Sequence, residues 1–251
     1  MNKKINETLY EKFHENGFLI IKNFFNIDEI KYINNEINFY LMKDLSKIKS
    51  RDINLVDNKI NSIHSLKLST KLEKFANKKK IKDLSQFFLN ERSIVNAIEL
   101  FAKPARIGLL SPAHQDNAYW CLREPKGLTM WIALTNAGKH NGGLYYYQGS
   151  HIKSNLKHVP SYSKGSSQMI PLKMVESLNK NYLKICPELK KGDIIIHHPH
   201  VCHGSDENHS YKERKGATIQ LFAESYKFDA PMKKKYEKSL LKQINKRLKN
   251  G

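Results

Sequence analysis

The chain is short of cysteine, of arginine and of long apolar runs, and each shortage removes a class of protein. Its three cysteines, Cys121, Cys186 and Cys202, are an odd number without C-x-x-C spacing, which argues against a disulfide scaffold or a zinc knuckle and for free thiols in a reducing compartment. No stretch approaches the ~20 consecutive apolar residues that span a bilayer. Residues 1–22 also lack the uninterrupted apolar centre of a signal peptide, so the chain reads as cytoplasmic. Acids are outnumbered, 24 Asp and Glu against 43 Lys and Arg, for a net charge of +19, yet only six of those basic residues are arginine. Such a charge raises the question of a polyanionic partner. Abundant Lys, Asn and Ile are, however, what an AT-rich coding sequence imposes on any protein, so nucleic acid is not expected as a partner. Nothing in the sequence speaks to oligomeric state.

What is present suffices for one core. A chain of 251 residues with 40% hydrophobic residues is long enough for a single domain built around a β-barrel. Roughly residues 1–92 read as a helical scaffold. A helix over Asn6–Glu15 closes at Gly17, a strand covers Phe18–Ile21, and Asn26 or Asp28 caps an amphipathic helix carrying Ile30, Ile33, Ile37 and Leu41. Residues 44–58 read as an irregular polar loop, Lys59 to His64 fit no pattern, and a helix is expected over Ile81–Leu89. From about 93 to 226 short β-compatible segments alternate with turns: 93–100, 106–110, 128–134, 144–147, 192–197 and 217–222. Residues 154–183 form a long Ser-rich insertion of the kind that serves as a substrate lid. A basic amphipathic helix closes the chain over 230–251, with Tyr236, Leu240, Leu241 and Ile244 on one side. The fold class is mainly β with flanking α-helices, a jelly roll whose mouth holds the site.

The chemistry centres on His114-Gln115-Asp116. On an extended strand residues i and i+2 share a face, so His114 and Asp116 can hold one ion while Gln115 points away. Two His and one carboxylate on one face of an octahedral iron leave three positions for substrate-derived ligands and O2. Four downstream His compete to complete the set: His197, His198, His200 and His203. The last is favoured by the block it opens, His203-Gly204-Ser205-Asp206-Glu207-Asn208-His209-Ser210, with Arg214 at the start of the next strand.

Pro112 to Trp120, Thr129 to Leu134, Asn141 to Leu144, Gly149-Ser150-His151, Gly192-Asp193 and the His203 block together resemble the phytanoyl-CoA dioxygenase family. Glu15 to Ile30 is similar to that family's N-terminus, so the resemblance spans roughly Leu9 to Ser225. It implies a double-stranded β-helix (jelly roll, cupin-like) and an Fe(II)- and 2-oxoglutarate-dependent oxygenase that consumes O2, with ascorbate as reductant. By the same resemblance His114, Asp116 and His203 are iron ligands. Arg214 then holds the distal carboxylate of 2-oxoglutarate in two parallel hydrogen bonds that a lysine cannot make. Ser205, Trp131 and Lys59 fall on further cosubstrate positions. Relatives that halogenate lack the carboxylate that Asp116 supplies, which favours hydroxylation.

Gln115, Asn117, Tyr119 and Trp120 are placed to line the substrate side, and Arg106, Lys103 or Arg123 to meet an anionic group. The expected substrate is a small, polar or anionic metabolite. Left open are a non-catalytic jelly roll that binds a metabolite, and an oxygenase acting on an acyl-CoA or on nucleic acid.

Overall fold

A computed structural model describes residues 3–64, 66 and 70–249. In chain order its elements are α1 (Lys3–Asn16), β1 (Phe18–Ile21), α2 (Ile27–Asp44), β2 (Ile53–Val56), β3 (Lys59–Ile63), α3 (Thr70–Ala76), α4 (Lys79–Leu89), β4 (Ser93–Lys103), β5 (Ser111–His114), α5 (Asn117–Trp120), β6 (Gly127–Ala133) and β7 (Leu144–Tyr147). Then come β8 (Val159–Pro160), β9 (Gln168–Met169), α6 (Leu172–Asn181), β10 (Lys184–Ile185), β11 (Ile194–His197), β12 (His203–Ser205), β13 (Arg214–Ala223) and α7 (Ala230–Lys249). Asn250 and Gly251, the expected end of the basic helix, lie outside the described residues.

The strands form a seven-stranded sheet in the order β1-β11-β6-β13-β4-β3-β2 and a four-stranded sheet in the order β10-β7-β12-β5, every pairing antiparallel. The large sheet separates core from chemistry, and the period-2 alternation of its strands is the reason. On β6, Leu128, Met130 and Ile132 face one way, with Ile194 and Ile196 of β11, Ala217, Ile219 and Leu221 of β13, and Ile98 and Leu100 of β4. They pack against Ile30, Ile33 and Ile37 of α2, Phe75 of α3, and Ile81 and Phe88 of α4. The intervening residues, Thr129 and Trp131, His197, Arg214, Thr218 and Gln220, and Glu99 and Phe101, point into the space between the sheets.

Local chemistry sets the element ends. Gly17 takes φ +79° and donates its N–H to the Phe13 carbonyl, closing α1 as a left-handed cap. Of the two candidate caps for α2, Asn26 is the one used: its side chain accepts from Glu29 N–H while Glu29 accepts from Asn26 N–H, a capping box.

Two expectations are corrected. The polar stretch over 44–58 is not one loop: it holds two short 3-10 turns and β2, which pairs with β3 through Asp57-Asn58, both at positive φ. Asp and Asn tolerate the left-handed conformation that a two-residue hairpin turn needs. Residues 106–110 are not a strand either, because Pro104 lacks the N–H to extend β4. Arg106 sits at φ +71° in a turn, and Asn208 donates to the carbonyls of Lys103 and Pro104 at 3.0 and 3.2 Å.

The insertion is ordered by its own elements, the β8–β9 hairpin and α6, and by its neighbours. Ile170 N–H donates to the Ala113 carbonyl beside the site, and the buried Gln243 of α7 donates to the Ser167 carbonyl. Ile196, fully buried on β11 between β1 and β6, tests this architecture. Ile196→Ala is expected to lower the free energy of unfolding by about 2–5 kcal/mol, read as the shift of a chemical-denaturation midpoint at unchanged slope.

Candidate active site

His114 and His203 occupy directly opposed positions of the β5–β12 ladder, and cross-strand partners on one face bring their side chains together. The ring centroids are 4.3 Å apart. Asp116 arrives differently from the sequence expectation. Strand β5 ends at His114, and Asp116 stands in αR conformation as the N-cap of α5, so the turn rather than strand periodicity delivers its carboxylate. Its Oδ1 lies 3.7 Å from His114 Nε2 and 3.6 Å from His203 Nε2. The ligand atoms of the three residues all fall within 4.8 Å of one another.

Each donor is held in the form a cation needs. His114 Nδ1 lies 2.7 Å from the Pro112 carbonyl and His203 Nδ1 3.0 Å from the Val201 carbonyl. A carbonyl only accepts, so each Nδ1 carries the proton and each Nε2 presents a lone pair. Burial lowers the pKa of both imidazoles, that of His203 well below its usual value. Burial alone would raise the Asp116 carboxyl. The His197 hydrogen bond, with the surrounding imidazoles, outweighs it and holds the group ionised far below the ordinary carboxylate range.

The carboxylate is divided between two tasks. Thr129 Oγ1 donates to Asp116 Oδ2 at 2.6 Å, and His197 Nε2 lies 3.0 Å from the same oxygen. Tyr146 Oη stands 3.0 Å from His197 Nδ1. The Tyr146 hydroxyl can donate to Nδ1, which leaves Nε2–H to donate to Asp116. With Oδ2 committed, Oδ1 faces the two imidazoles.

A cleft runs from these residues between the sheets. Arg214, Ser205 and Trp131 line it together with the triad. The Arg214 side chain is 2% exposed, and its partners are the carbonyls of Gly142, at 3.1 and 2.9 Å, and Phe101, at 3.3 Å. No carboxylate among the described residues pairs with it, so a buried cation faces the cleft without a counter-charge. Burial brings its pKa down to about 10, still charged at neutral pH. Trp131 lies over Gly216, where any Cβ would collide with the indole.

The remaining candidates are placed elsewhere. Lys59 is exposed and lines a separate groove with Leu41, Asn58 and Lys215. Gln115 is fully buried, donating to the carbonyls of Ser154 and His200 and accepting from Leu156 N–H; it anchors the insertion rather than lining the cleft. Asn117 likewise donates to the Leu122 carbonyl, and Trp120 packs on Phe222 with centroids 4.9 Å apart. Tyr119 alone of this group approaches the site, its ring edge-on to His114 at 5.5 Å and its hydroxyl donating to the Gln168 carbonyl of the insertion. Arg106 is exposed and stacks on Tyr211, Arg123 is exposed, and Lys103 is buried against the Asp206 carbonyl, where desolvation pulls its pKa down to about 6. None of these three cations faces the cleft.

Thr129, His197, Tyr146 and Glu99 belong to the site or its support and were not picked out from the sequence in those roles. Glu99 did carry a signal: it is the one carboxylate of its strand and stands between Ile98 and Leu100.

Set beside known proteins, residues 13–216 match the family model described as Phytanoyl-CoA dioxygenase. The peroxisomal phytanoyl-CoA dioxygenase of Homo sapiens is 27% identical over 227 residues, covering 83% of this chain and 66% of that protein. The chain thus spans just under two thirds of the length of that relative. Phytanoyl-CoA dioxygenase domain-containing protein 1 of Mus musculus is 30% identical over 133 residues, covering 51% of this chain and 44% of that one. Among solved structures, EctD from S. alaskensis with bound Fe superposes with TM-score 0.75 at 20% identity, covering 92% of this chain and 80% of that one. The non-heme alpha ketoglutarate dependent carbocyclase SnoK from nogalamycin biosynthesis gives 0.73 at 17%, covering 91% and 86%. These likenesses establish the jelly-roll fold.

Two outcomes are expected from this geometry. His197→Phe, which removes the donor that fixes Asp116, weakens Mn(II) or Co(II) affinity about 10- to 100-fold, the range for partners behind a metal ligand, as titration calorimetry reads. Acid destabilises the fold through buried neutral imidazoles. Desolvation holds His158 and His200 at about 4, while an unfolded His binds its proton near 6.5. The unfolded chain therefore takes up more protons between those values, and stability present above pH 6.5 is lost as pH falls toward 4. His64, raised by Glu99 against the pull of burial, has the opposite sign and offsets part of the loss. Thermal midpoints measured from pH 7 to 4.5 should fall.

Proposed function

Because the chain belongs to the phytanoyl-CoA dioxygenase family, we propose that it is an Fe(II)- and 2-oxoglutarate-dependent dioxygenase that hydroxylates a small polar metabolite. The observation that carries the reading is one cleft lined both by three convergent ligand atoms and by a buried guanidinium lacking a carboxylate partner. Two imidazole lone pairs and one carboxylate oxygen suit Fe(II) and leave coordination positions for a cosubstrate. The unpaired guanidinium suits the far carboxylate of a keto diacid.

His114, Asp116 and His203 would hold the iron, and Arg214 the cosubstrate. When bound, that pair supplies oxygen activation: 2-oxoglutarate and O2 yield succinate and CO2, and one oxygen atom enters a substrate C–H bond. The chain's own contribution is placement and exclusion. The Pro112 and Val201 carbonyls fix the two imidazole tautomers, and Thr129 and His197 fix the carboxylate. Arg214 is aimed in turn by the Gly142 carbonyl, with which Nε and one terminal nitrogen both bond, and by the Phe101 carbonyl, which takes one N–H of the other, leaving one N–H on each terminal nitrogen for a carboxylate. Ser205 and Trp131 complete that end, the hydroxyl as a donor and the indole as a wall. Residues 154–183, pinned by Gln115 and Tyr119, act as the lid that keeps water from the reacting centre. The cations that favoured an anionic substrate face away from the cleft, so polarity alone is retained.

In assays with Fe(II), 2-oxoglutarate and ascorbate, the wild-type protein is expected to release succinate, and His114→Ala to release none above background. Arg214→Lys should raise the 2-oxoglutarate concentration for half-maximal succinate release about tenfold or more. One charge-assisted hydrogen bond contributes on the order of 1.5–3 kcal/mol, and lysine cannot restore the paired geometry. Undiminished succinate release by the His114 variant would refute the assignment.

A further inference from the structure

Arg214 marks one end of the cleft, and the strand ladders mark the other. Along β13 the residues facing inward are Arg214, Gly216, Thr218 and Gln220; Thr218 pairs with Glu99 of β4 and Trp131 of β6, and Gln220 pairs with Thr129. Thr218 lies four positions beyond Arg214, about 13 Å at the rise of a strand. Glu99 therefore lies at the end away from the guanidinium, on the side where Thr129 meets the metal carboxylate.

Glu99 is a poor choice for mere filling. Its side chain is 13% exposed, and a buried carboxylate is retained only where its oxygens are satisfied or used. Three protein donors orient it. His64 Nδ1 stands 3.2 Å from Oε1, and Thr218 Oγ1 and Gln220 Nε2 donate to Oε2 at 3.1 and 3.0 Å. Asn96 donates to Gln220 Oε1 at 2.9 Å, which turns the amide nitrogen, not the oxygen, toward Glu99. A carboxylate offers about four acceptor sites, so one remains, and Glu99 lines the cleft. His64 does not line it and approaches the carboxylate from just past the end of β3, hydrogen-bonded to the backbone of Gly165 of the insertion. Apart from Arg214, no lysine or arginine among the described residues lines the cleft, whereas Glu99 and Asp116 both do.

We propose that Glu99 is the specificity-determining residue for the primary substrate, and that this substrate presents a cationic nitrogen to it: an amine, a guanidine or an amino acid side chain bearing one. The inference rests on the dioxygenase reading for what then happens to the ligand, but not for the binding preference itself. An ammonium or guanidinium donates into the open acceptor site of a desolvated carboxylate, a charge-assisted bond that a neutral isostere makes more weakly. An anion there meets two carboxylates and no free cation, since bound 2-oxoglutarate occupies Arg214. Thr218, Gln220 and Asn96 act as positioning residues that hold the carboxylate toward the cleft.

The test uses the full chain loaded with Mn(II) and saturating 2-oxoglutarate, with ligand-proton relaxation enhancement read by NMR. The probes are n-butylamine, methylguanidine and L-lysine, against butan-1-ol, N-butylacetamide and butyrate. The amine and guanidine probes are expected to bind at least tenfold more tightly than the neutral or anionic ones. Glu99→Gln should erase that preference while the 2-oxoglutarate affinity moves less than twofold. Glu99→Asp should keep the sign of the preference, and Gln220→Ala, which removes a donor that orients the carboxylate, should weaken it, so the result survives if one variant fails to fold. Equal binding of cationic and neutral probes, or a preference that persists in Glu99→Gln, overturns the proposal. Substrate-independent succinate release, measured in parallel with Fe(II), judges the dioxygenase reading separately: either result can fail while the other stands.

Discussion

Everything in the cleft depends on the unequal use of Asp116's two oxygens. Oδ2 is taken up by Thr129 and His197, which leaves Oδ1 facing two imidazole lone pairs. A carboxylate free to rotate would hydrogen-bond either imidazole or water and would present no fixed donor. Here the rotation is blocked by two partners on adjacent strands of the large sheet, β6 and β11, themselves fixed by their ladders. The Tyr146 hydroxyl adds a third link behind His197. Precision at the centre is inherited from strands hydrogen-bonded on both sides.

The same sheet offsets the site's polarity on its other face. Between the sheets lie groups that are costly to bury: a guanidinium, two carboxylates and three imidazoles. On the helix side the alternate residues of the same strands are almost wholly aliphatic and reach into α2, α3 and α4. Burying such side chains contributes roughly 1.5–3 kcal/mol each, enough in sum to carry a polar interior. The alternation of a strand lets one chain segment serve both demands without compromise.

Charge divides the cleft lengthwise. Arg214 supplies the positive end, and the carboxylates Glu99 and Asp116 lie farther along the ladder toward the other. A keto diacid and a cationic substrate would each find a complementary end, and neither could reverse its orientation without meeting like charge. The insertion covers this arrangement through an apolar cluster in which Ile170 and Leu178 join Ala113, Tyr145 and Tyr147, and the buried amides of Gln115 and Gln243 tie it to its neighbours.

The sequence by itself determined most of the strand segments, the amphipathic face of α2 with its start at Asn26 or Asp28, and the family motifs around His114, His203 and Arg214. Those are local or motif-borne properties, set by periodicity, by capping chemistry and by residue spacing. It could not decide what depends on pairing across the chain. Asp116 leaves the strand before it can use strand periodicity. Gln115 and Asn117 look like cleft residues by position but are consumed by carbonyls 39, 85 and 5 residues away. Lys59 and Arg106 are carried off by a hairpin and a Pro104 turn. Glu99 becomes part of the site only because β4 lies beside β13, and a ladder between residues 119 positions apart is written in the register of two strands, not in the pattern of either one.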